Sequence, residues 1–211
     1  MLTVHHLGRS QSERIVWLCE ELEIEYELRR YERRADNRMA PDEYKALHPA
    51  GTAPVITDGD LVLGESGAIC EYVCVRHGSG RLRPGPGDAD FADHLFWFHW
   101  SNGSFMSALL AQLAVTNAGP NAAMPPFIAD RVRRGWEMVE KRLQEAPFFA
   151  GAELTTADIM MSFPLTTGRT FRGTSIEAYP NVRAYLARIG ERPAYQRAMA
   201  KAEPGMTPAL T

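Results

Sequence analysis

Cysteine is scarce in this chain of 211 residues: there are three, Cys19, Cys70 and Cys74, with no C-x-x-C pair among them. An odd, scattered set excludes both a disulfide framework and a dithiol redox motif, and it fits a reducing compartment. No apolar run reaches the roughly 18 residues that a membrane-spanning helix needs, so no membrane segment is expected. Excess positive charge is missing too. The 23 Lys and Arg against 26 Asp and Glu leave a formal net charge of -3, and the basic residues lie scattered among acids, which excludes the electrostatic footprint of a nucleic-acid binder. The chain opens on a strand-like segment and not on a signal-peptide pattern, so a cytoplasmic location is expected. Cys70, Cys74 and His77 share one helical face, but core packing is the commoner fate of such cysteines and no metal site is expected. Cys19 recurs with Ile15, Leu18 and Leu22 at helical spacing, again the pattern of packing.

What is present begins with alternating element types. Residues 2–7 read as a strand, 12–22 as a helix and 26–31 as a second strand, which together make a βαβ unit with a right-handed crossover. A short helix is expected around 41–47. Residues 54–57 and 61–63 then form a hairpin about Asp58-Gly59, and 66–76 a closing helix. This is a thioredoxin-like order. Glycine and proline crowd residues 78–88 densely enough to break any helix, and everything beyond reads as helical. Two long helices cover 89–114 and 127–144. Thr155 caps a further helix with Asp158 three residues on, a capping box, and Pro164 ends or kinks it. Pro180 and Pro193 each sit at a first helical position and open the last two helices. The tail over 203–211, with Pro204, Gly205 and Pro208, folds back or frays. The fold class is α/β plus all-α, with a thioredoxin-like N-terminal domain at 1–78, a linker at 79–88 and an α-helical C-terminal domain at 89–211.

The most informative local feature is Glu65-Ser66, an acid and a hydroxyl at a helix start. The first N–H groups of a helix lack intrahelical partners and lie at the positive end of its dipole, where anions bind. Ser66 adds a hydroxyl and Glu65 a partner for a cation, so the pair suits a free amino-acid head group; taken alone it is also an ordinary N-cap. Upstream, Ala53-Pro54 opens an apolar strand. A cis bond there, the one peptide type in which cis costs only about 0.5 to 1 kcal/mol, would turn the amide and carbonyl of Ala53 outward toward a peptide ligand.

With these parts in order, the chain resembles the glutathione transferase family over nearly its whole length. The matching pieces are the strand at 2–7, the loop Gly8-Arg9-Ser10-Gln11-Ser12, the helix at 13–22, Ala53-Pro54, Glu65-Ser66-Gly67-Ala68-Ile69, and Leu154-Thr155-Thr156-Ala157-Asp158-Ile159 in the helical half. The likeness is to the serine-type enzymes of bacteria and fungi. It implies a homodimeric detoxification enzyme that conjugates glutathione, a cosubstrate and not a prosthetic cofactor, to small hydrophobic electrophiles. Glutathione-dependent peroxide reduction at the same site, or a non-enzymatic binding or interaction protein of the same fold, stay open as alternatives.

The chemistry falls to the loop after the first strand. A free thiol titrates near about 8.5, and only its thiolate attacks. A hydroxyl that donates to the sulfur favours the charged form by roughly 1.5 to 3 kcal/mol, or about one to two pKa units. Ser10 is the choice for that donor, with Ser12 and Arg9 as rivals. Glutathione is expected against Ala53, Pro54, Glu65 and Ser66. Thr52 stands where many relatives carry Lys or Gln for the glycyl carboxylate, and Arg38 is the candidate substitute, since guanidinium binds carboxylates in bidentate fashion. His48 reads as turn packing. Arg14 reads as a solvated or salt-bridged helix face and is left out of the site. The electrophile pocket is expected between the Ser10 loop and the first long helix, at His99, Asn102, Phe105 and Met106.

Overall fold

The computed structural model of the chain describes residues 1–119 and 121–211; Pro120, within the expected break between the two long helices, lies outside them. The first strand, β1 (Leu2–Leu7), is buried at every position. It therefore has neighbours on both edges and cover on both faces. It runs parallel to β2 (Glu27–Tyr31), with Thr3 opposite Glu27 and Leu7 opposite Tyr31, and α1 (Glu13–Leu22) makes the crossover. Its other edge pairs antiparallel with β3 (Val55–Asp58), Val4 facing Ile56, and β3 turns into β4 (Leu61–Gly64). The resulting order β2-β1-β3-β4 is the thioredoxin-like arrangement expected from the element sequence. One detail differs. The hairpin turns about Gly59-Asp60 and not Asp58-Gly59, because Asp58 still pairs with Leu61 in the ladder and Gly59 takes the left-handed φ of 60°.

Side chains alternate across a strand, and β1 uses both directions. Leu7 joins Tyr44 of α2 (Asp42–Lys45), Ala40 and Val55 in one apolar cluster. His6 points the opposite way, to the start of α1. α3 (Ser66–Arg76) packs beside α1.

Two compact units emerge, one of Met1–Arg83 with Gly190–Pro208, the other of Pro84–Ile189 with Ala209–Thr211. The boundary near Arg83 falls in the glycine- and proline-rich stretch, but the chain end departs from the expected division, which assigned all of 89–211 to the helical domain. The reason lies in α1. Every residue of it but Glu21 is buried, so its outer face needs cover, and α10 (Pro193–Ala202) supplies it. Tyr195 meets Trp17 edge-on at 5.2 Å, Arg192 grips Glu21 with two bonds of 2.6 and 2.8 Å, and Arg197 reaches Glu20 at 2.9 Å.

In the helical unit the long helix expected over 89–114 is three pieces: α4 (Phe91–Trp100), a π-helical segment over Ser101–Met106, and α5 (Ser107–Asn117). Ser101, Asn102, Gly103 and Ser104 are weak helix formers, and the Ser101 hydroxyl is drawn off to the Met160 carbonyl at 2.7 Å. The wider turn lets Phe105 stack on Trp100, centroids 4.9 Å apart. Next come α6 (Pro126–Glu145), α7 (Thr156–Leu165), α8 (Thr167–Thr170) and α9 (Pro180–Gly190). Pro164 sits one residue before the end of α7, and Pro180 and Pro193 open α9 and α10. Among the described residues no helix is long and apolar enough to cross a membrane. Nor does any group of His, Cys, Asp and Glu among them come together as a metal site: Cys70 and Cys74 are fully buried, and His77 turns to Asp58 at 2.6 Å.

The capping box is present. Asp158 accepts from the N–H groups of Thr155 and Phe149, each at 2.9 Å, and from the Tyr185 hydroxyl at 3.3 Å. Burial pushes its carboxyl up to about 6 against the pull of these donors. Asp158→Ala orphans two buried amides, each costing about 1 to 3 kcal/mol. We expect a loss of about 2 to 6 kcal/mol in denaturant unfolding, with Asp158→Asn, which keeps an acceptor oxygen, losing less.

Candidate active site

The loop of residues 8–12 carries three constraints at once. It must leave a strand, enter a helix and place Ser10, and the backbone responds with a left-handed Arg9 at φ 51°. Two side chains hold that conformation. Arg33 donates to the Gly8 carbonyl at 2.8 Å and the Arg9 carbonyl at 3.3 Å. The Glu203 carboxylate, just past α10, accepts a short bond from the Arg9 N–H.

Within the loop, Ser10 Oγ and Ser12 Oγ are 2.7 Å apart, and the Ser12 N–H donates to Ser10 Oγ at 3.3 Å. Ser12 is fully enclosed. Its Oγ takes the Leu7 N–H at 3.1 Å and lies 2.9 Å from His6 Nδ1. His6 is equally enclosed, and its Nε2 meets Glu203 Oε1 at 3.1 Å. Burial pushes the Glu203 carboxyl up, but the hydrogen bonds from His6 and from the Arg9 amide outweigh it and hold the group below the usual carboxylate range. Ser12 therefore faces inward with all its bonding capacity engaged. Ser10, also buried, ends the line opposite Glu203, with the Ser12 N–H and Oγ as its partners.

The second part of the site lies at the β3 and α3 starts. The Ala53–Pro54 bond is cis. Thr52 is exposed, with Ala53 and Pro54 running from it into β3. Glu65, exposed and at φ 69°, is the N-cap residue of α3, and Ser66 behind it is buried. Arg14 lies wholly inside and brings a guanidinium nitrogen 3.4 Å from Ser66 Oγ. The expected solvated helix face is thus corrected: burial lowers the Arg14 guanidinium to about 10, and its charge sits behind the start of α3. Cation and helix dipole act on the same spot, which suits a carboxylate. Arg38 is an exposed residue at φ 59° whose carbonyl accepts from Arg33 at 3.0 Å. His48 takes the Ala50 N–H on Nδ1 at 3.2 Å, the turn role expected of it.

In the helical unit His99 is exposed and Asn102 partly so, while Phe105 and Met106 are buried. Phe105 is held between Trp100 and Trp136 and against Gly135. It borders a cavity of about 550 Å³ between α5 and α6 that the other three do not line. The three cysteines are all buried, and burial raises each thiol well above its ordinary value.

Residues 9–76 match the family model described as the glutathione S-transferase N-terminal domain, and residues 109–193 match its C-terminal domain. A crystal structure of a glutathione S-transferase from Actinobacillus pleuropneumoniae is 37% identical, with a TM-score of 0.84, over 96% of this chain and 93% of its own. This chain belongs to the glutathione transferase family. Glutathione S-transferase 3 of Schizosaccharomyces pombe is 29% identical over 96% of this chain and 88% of its own length. A disulfide-bond oxidoreductase of Escherichia coli is 26% identical over 97% of both.

Sequence reasoning missed four residues that hold the candidate site of this transferase in place: His6, Arg14, Arg33 and Glu203. Glu203 and His6 are 197 positions apart, and no local pattern announces such a pair. Arg14 carried a weak signal, a cation in a helix turn otherwise lined by core residues.

The Glu203 tether has a sign in pH. The native carboxyl titrates below its unfolded value of about 4.3, so its stabilisation is complete above that pH and is lost as pH falls through the lower native value. Glu203→Gln should therefore be less stable than the parent by about 1 to 2 kcal/mol at pH near 7. Denaturant midpoints of the two should converge below about pH 4.

Proposed function

We propose that glutathione binds along the first unit, its γ-glutamyl head group at Glu65 and Ser66, its backbone against Ala53 beside Pro54, and its sulfur at Ser10. The observation that carries this reading is the position of Ser10 at the end of a hydrogen-bonded line that runs through Ser12 and His6 to Glu203, with only the Ser12 N–H and Oγ bonded to its own hydroxyl. Its hydroxyl is the group left to donate to a ligand. Arg14 behind Ser66 adds a second argument, since a buried cation at a helix start favours an anionic head group. For the glycyl carboxylate Thr52 offers a hydroxyl and Arg38 a guanidinium.

Conjugation by the glutathione thiolate is the activity of the transferases to which this chain belongs. In the proposed mechanism the protein's part is to make that thiolate at neutral pH. Ser10 donates to the sulfur, the positive end of the α1 dipole lies just beyond Ser10, and the head-group contacts hold the peptide so that an electrophile meets a positioned nucleophile. The acceptor is a small hydrophobic molecule, for which His99 and Asn102 are the accessible candidates among the residues singled out in the helical unit. A homodimer working in the cytoplasm in detoxification completes the reading.

A second reading follows from the relative named for disulfide-bond oxidoreduction. Because this chain's own thiols are buried and held protonated, such chemistry, like peroxide reduction, would run through the sulfur of glutathione itself. Rates with a chloronitrobenzene, cumene hydroperoxide and a glutathione mixed disulfide separate the three. A dominant rate on the first supports conjugation; a dominant rate on either of the others replaces it.

Ser10→Ala should raise the apparent pKa of bound glutathione, read from the ultraviolet absorbance of the thiolate, by about one to two units, and should lower kcat more than affinity. An unchanged titration would remove Ser10 from the role. Glu65→Gln combined with Ser66→Ala should weaken glutathione binding in calorimetry with the fold intact, and unchanged affinity would sink the head-group assignment.

A further inference from the structure

His6, Ser12 and Glu203 are buried polar groups that thiolate stabilisation by Ser10 does not by itself require. Their bonds form one line, with 2.7 Å from Ser10 to Ser12, 2.9 Å from Ser12 to His6 Nδ1 and 3.1 Å from His6 Nε2 to Glu203. An ionised carboxylate only accepts, so Nε2 carries a proton and Nδ1 of the neutral ring is an acceptor. Ser12 then donates to His6, Ser10 donates to Ser12, and Ser10 Oγ keeps one lone pair with which to accept from a thiol. With the ring doubly protonated the Nε2 bond to Glu203 keeps its direction and the bonds from Nδ1 outward reverse. Nδ1 donates to Ser12, Ser12 to Ser10, and Ser10 outward.

Both directions satisfy the proton inventory. Ser12 has one proton and two lone pairs, and one pair always takes the Leu7 N–H; the other pair and the proton serve Ser10 and His6 in either order. Ser10 always takes the Ser12 N–H and has one pair and one proton for Ser12 and the ligand. No member is left unsatisfied by the reversal, which is the condition for a proton to pass along the line without breaking it.

We propose that His6 is the acceptor of the glutathione thiol proton, through the hydroxyls of Ser10 and Ser12, with Glu203 stabilising the imidazolium that results. The proposal rests on the reading of Ser10 as the hydroxyl facing the sulfur. In the step the S–H bond breaks and its proton joins Ser10 Oγ; the Ser10 proton passes to Ser12 Oγ, and the Ser12 proton passes to Nδ1. The sulfur keeps the electron pair. Charge is conserved, since a thiol and a neutral imidazole become a thiolate and an imidazolium, and the latter is paired with a carboxylate already in place. The other charged groups near the Glu203 end are Arg9 of the loop, Arg30 of β2, whose Nε donates to the Ala202 carbonyl at 3.2 Å, and Arg33 beyond β2. Glu203 is the anion that faces the charges of Arg30 and Arg33, and it takes the backbone amide of Arg9.

Because the proton stays inside the protein, thiolate formation should release almost none to the buffer. The test is proton release on mixing the wild-type enzyme with glutathione near pH 7 in weak buffer with an indicator dye. Thiolate is counted by its ultraviolet absorbance, and release caused by S-methylglutathione, which has no thiol proton, is subtracted. The expected result is far less than one proton per thiolate. One full proton per thiolate would overturn the relay.

His6→Gln keeps hydrogen bonding but cannot take the proton. It should release one proton per thiolate formed, raise the pKa of the bound thiol and lower kcat/KM about ten-fold, the effect of losing one charge-assisted bond, while S-methylglutathione binds as before. Normal retention of the proton in this variant would also overturn the relay. If the variant fails to fold, the wild-type measurement decides alone. A thiol pKa that moves in Ser10→Ala alongside full proton release from the wild type would reject the relay and keep Ser10. A pKa that does not move in Ser10→Ala would reject the Ser10 reading itself.

Discussion

The Glu203 carboxylate is the point on which the loop around Ser10 depends. It accepts the Arg9 amide, which fixes the left-handed turn before Ser10, and it accepts from His6, which fixes the buried end of the hydrogen-bonded line. Both bonds require the segment after α10 to return to the thioredoxin-like sheet. This explains a feature of the architecture that is otherwise odd, the addition of the last helix of a helical half to the first unit. α10 covers α1, its arginines meet Glu20 and Glu21, and the chain just beyond delivers an anion to the loop. Packing and chemistry use the same helix.

Local order in the first 83 residues was legible because it is written in short-range patterns. The crossover, the hairpin, the proline at the β3 start and the Glu65-Ser66 helix start all rest on neighbours within a few positions. The capping box at Thr155 and Asp158 and the prolines that open α9 and α10 were legible for the same reason. The hairpin turn moved by one residue because the ladder registers, not the Asp-Gly pair alone, decide where a turn falls.

What was not legible depends on distance or on small differences in backbone energy. Glu203 and His6 meet only after the whole chain has folded. Arg14 looked like surface because arginine usually is, and only the closeness of α1 to α3 makes it interior. The π-helical segment at Ser101–Met106 arises where weak helix formers meet a competing bond to Met160, a balance that periodicity does not register. The family resemblance supplied the loop that holds Ser10 and Ser12, but the buried partners His6 and Glu203 that continue their line of hydrogen bonds were not part of it.

The decisive measurement is a crystal structure of the enzyme with glutathione bound. The sulfur should lie within hydrogen-bonding distance of Ser10 Oγ, the γ-glutamyl carboxylate at the Ser66 end of α3, and the relay from Ser10 to Glu203 should be unbroken. A sulfur resting on Arg9 or elsewhere and out of reach of Ser10, or a peptide bound away from Ala53 and Ser66, would contradict this arrangement.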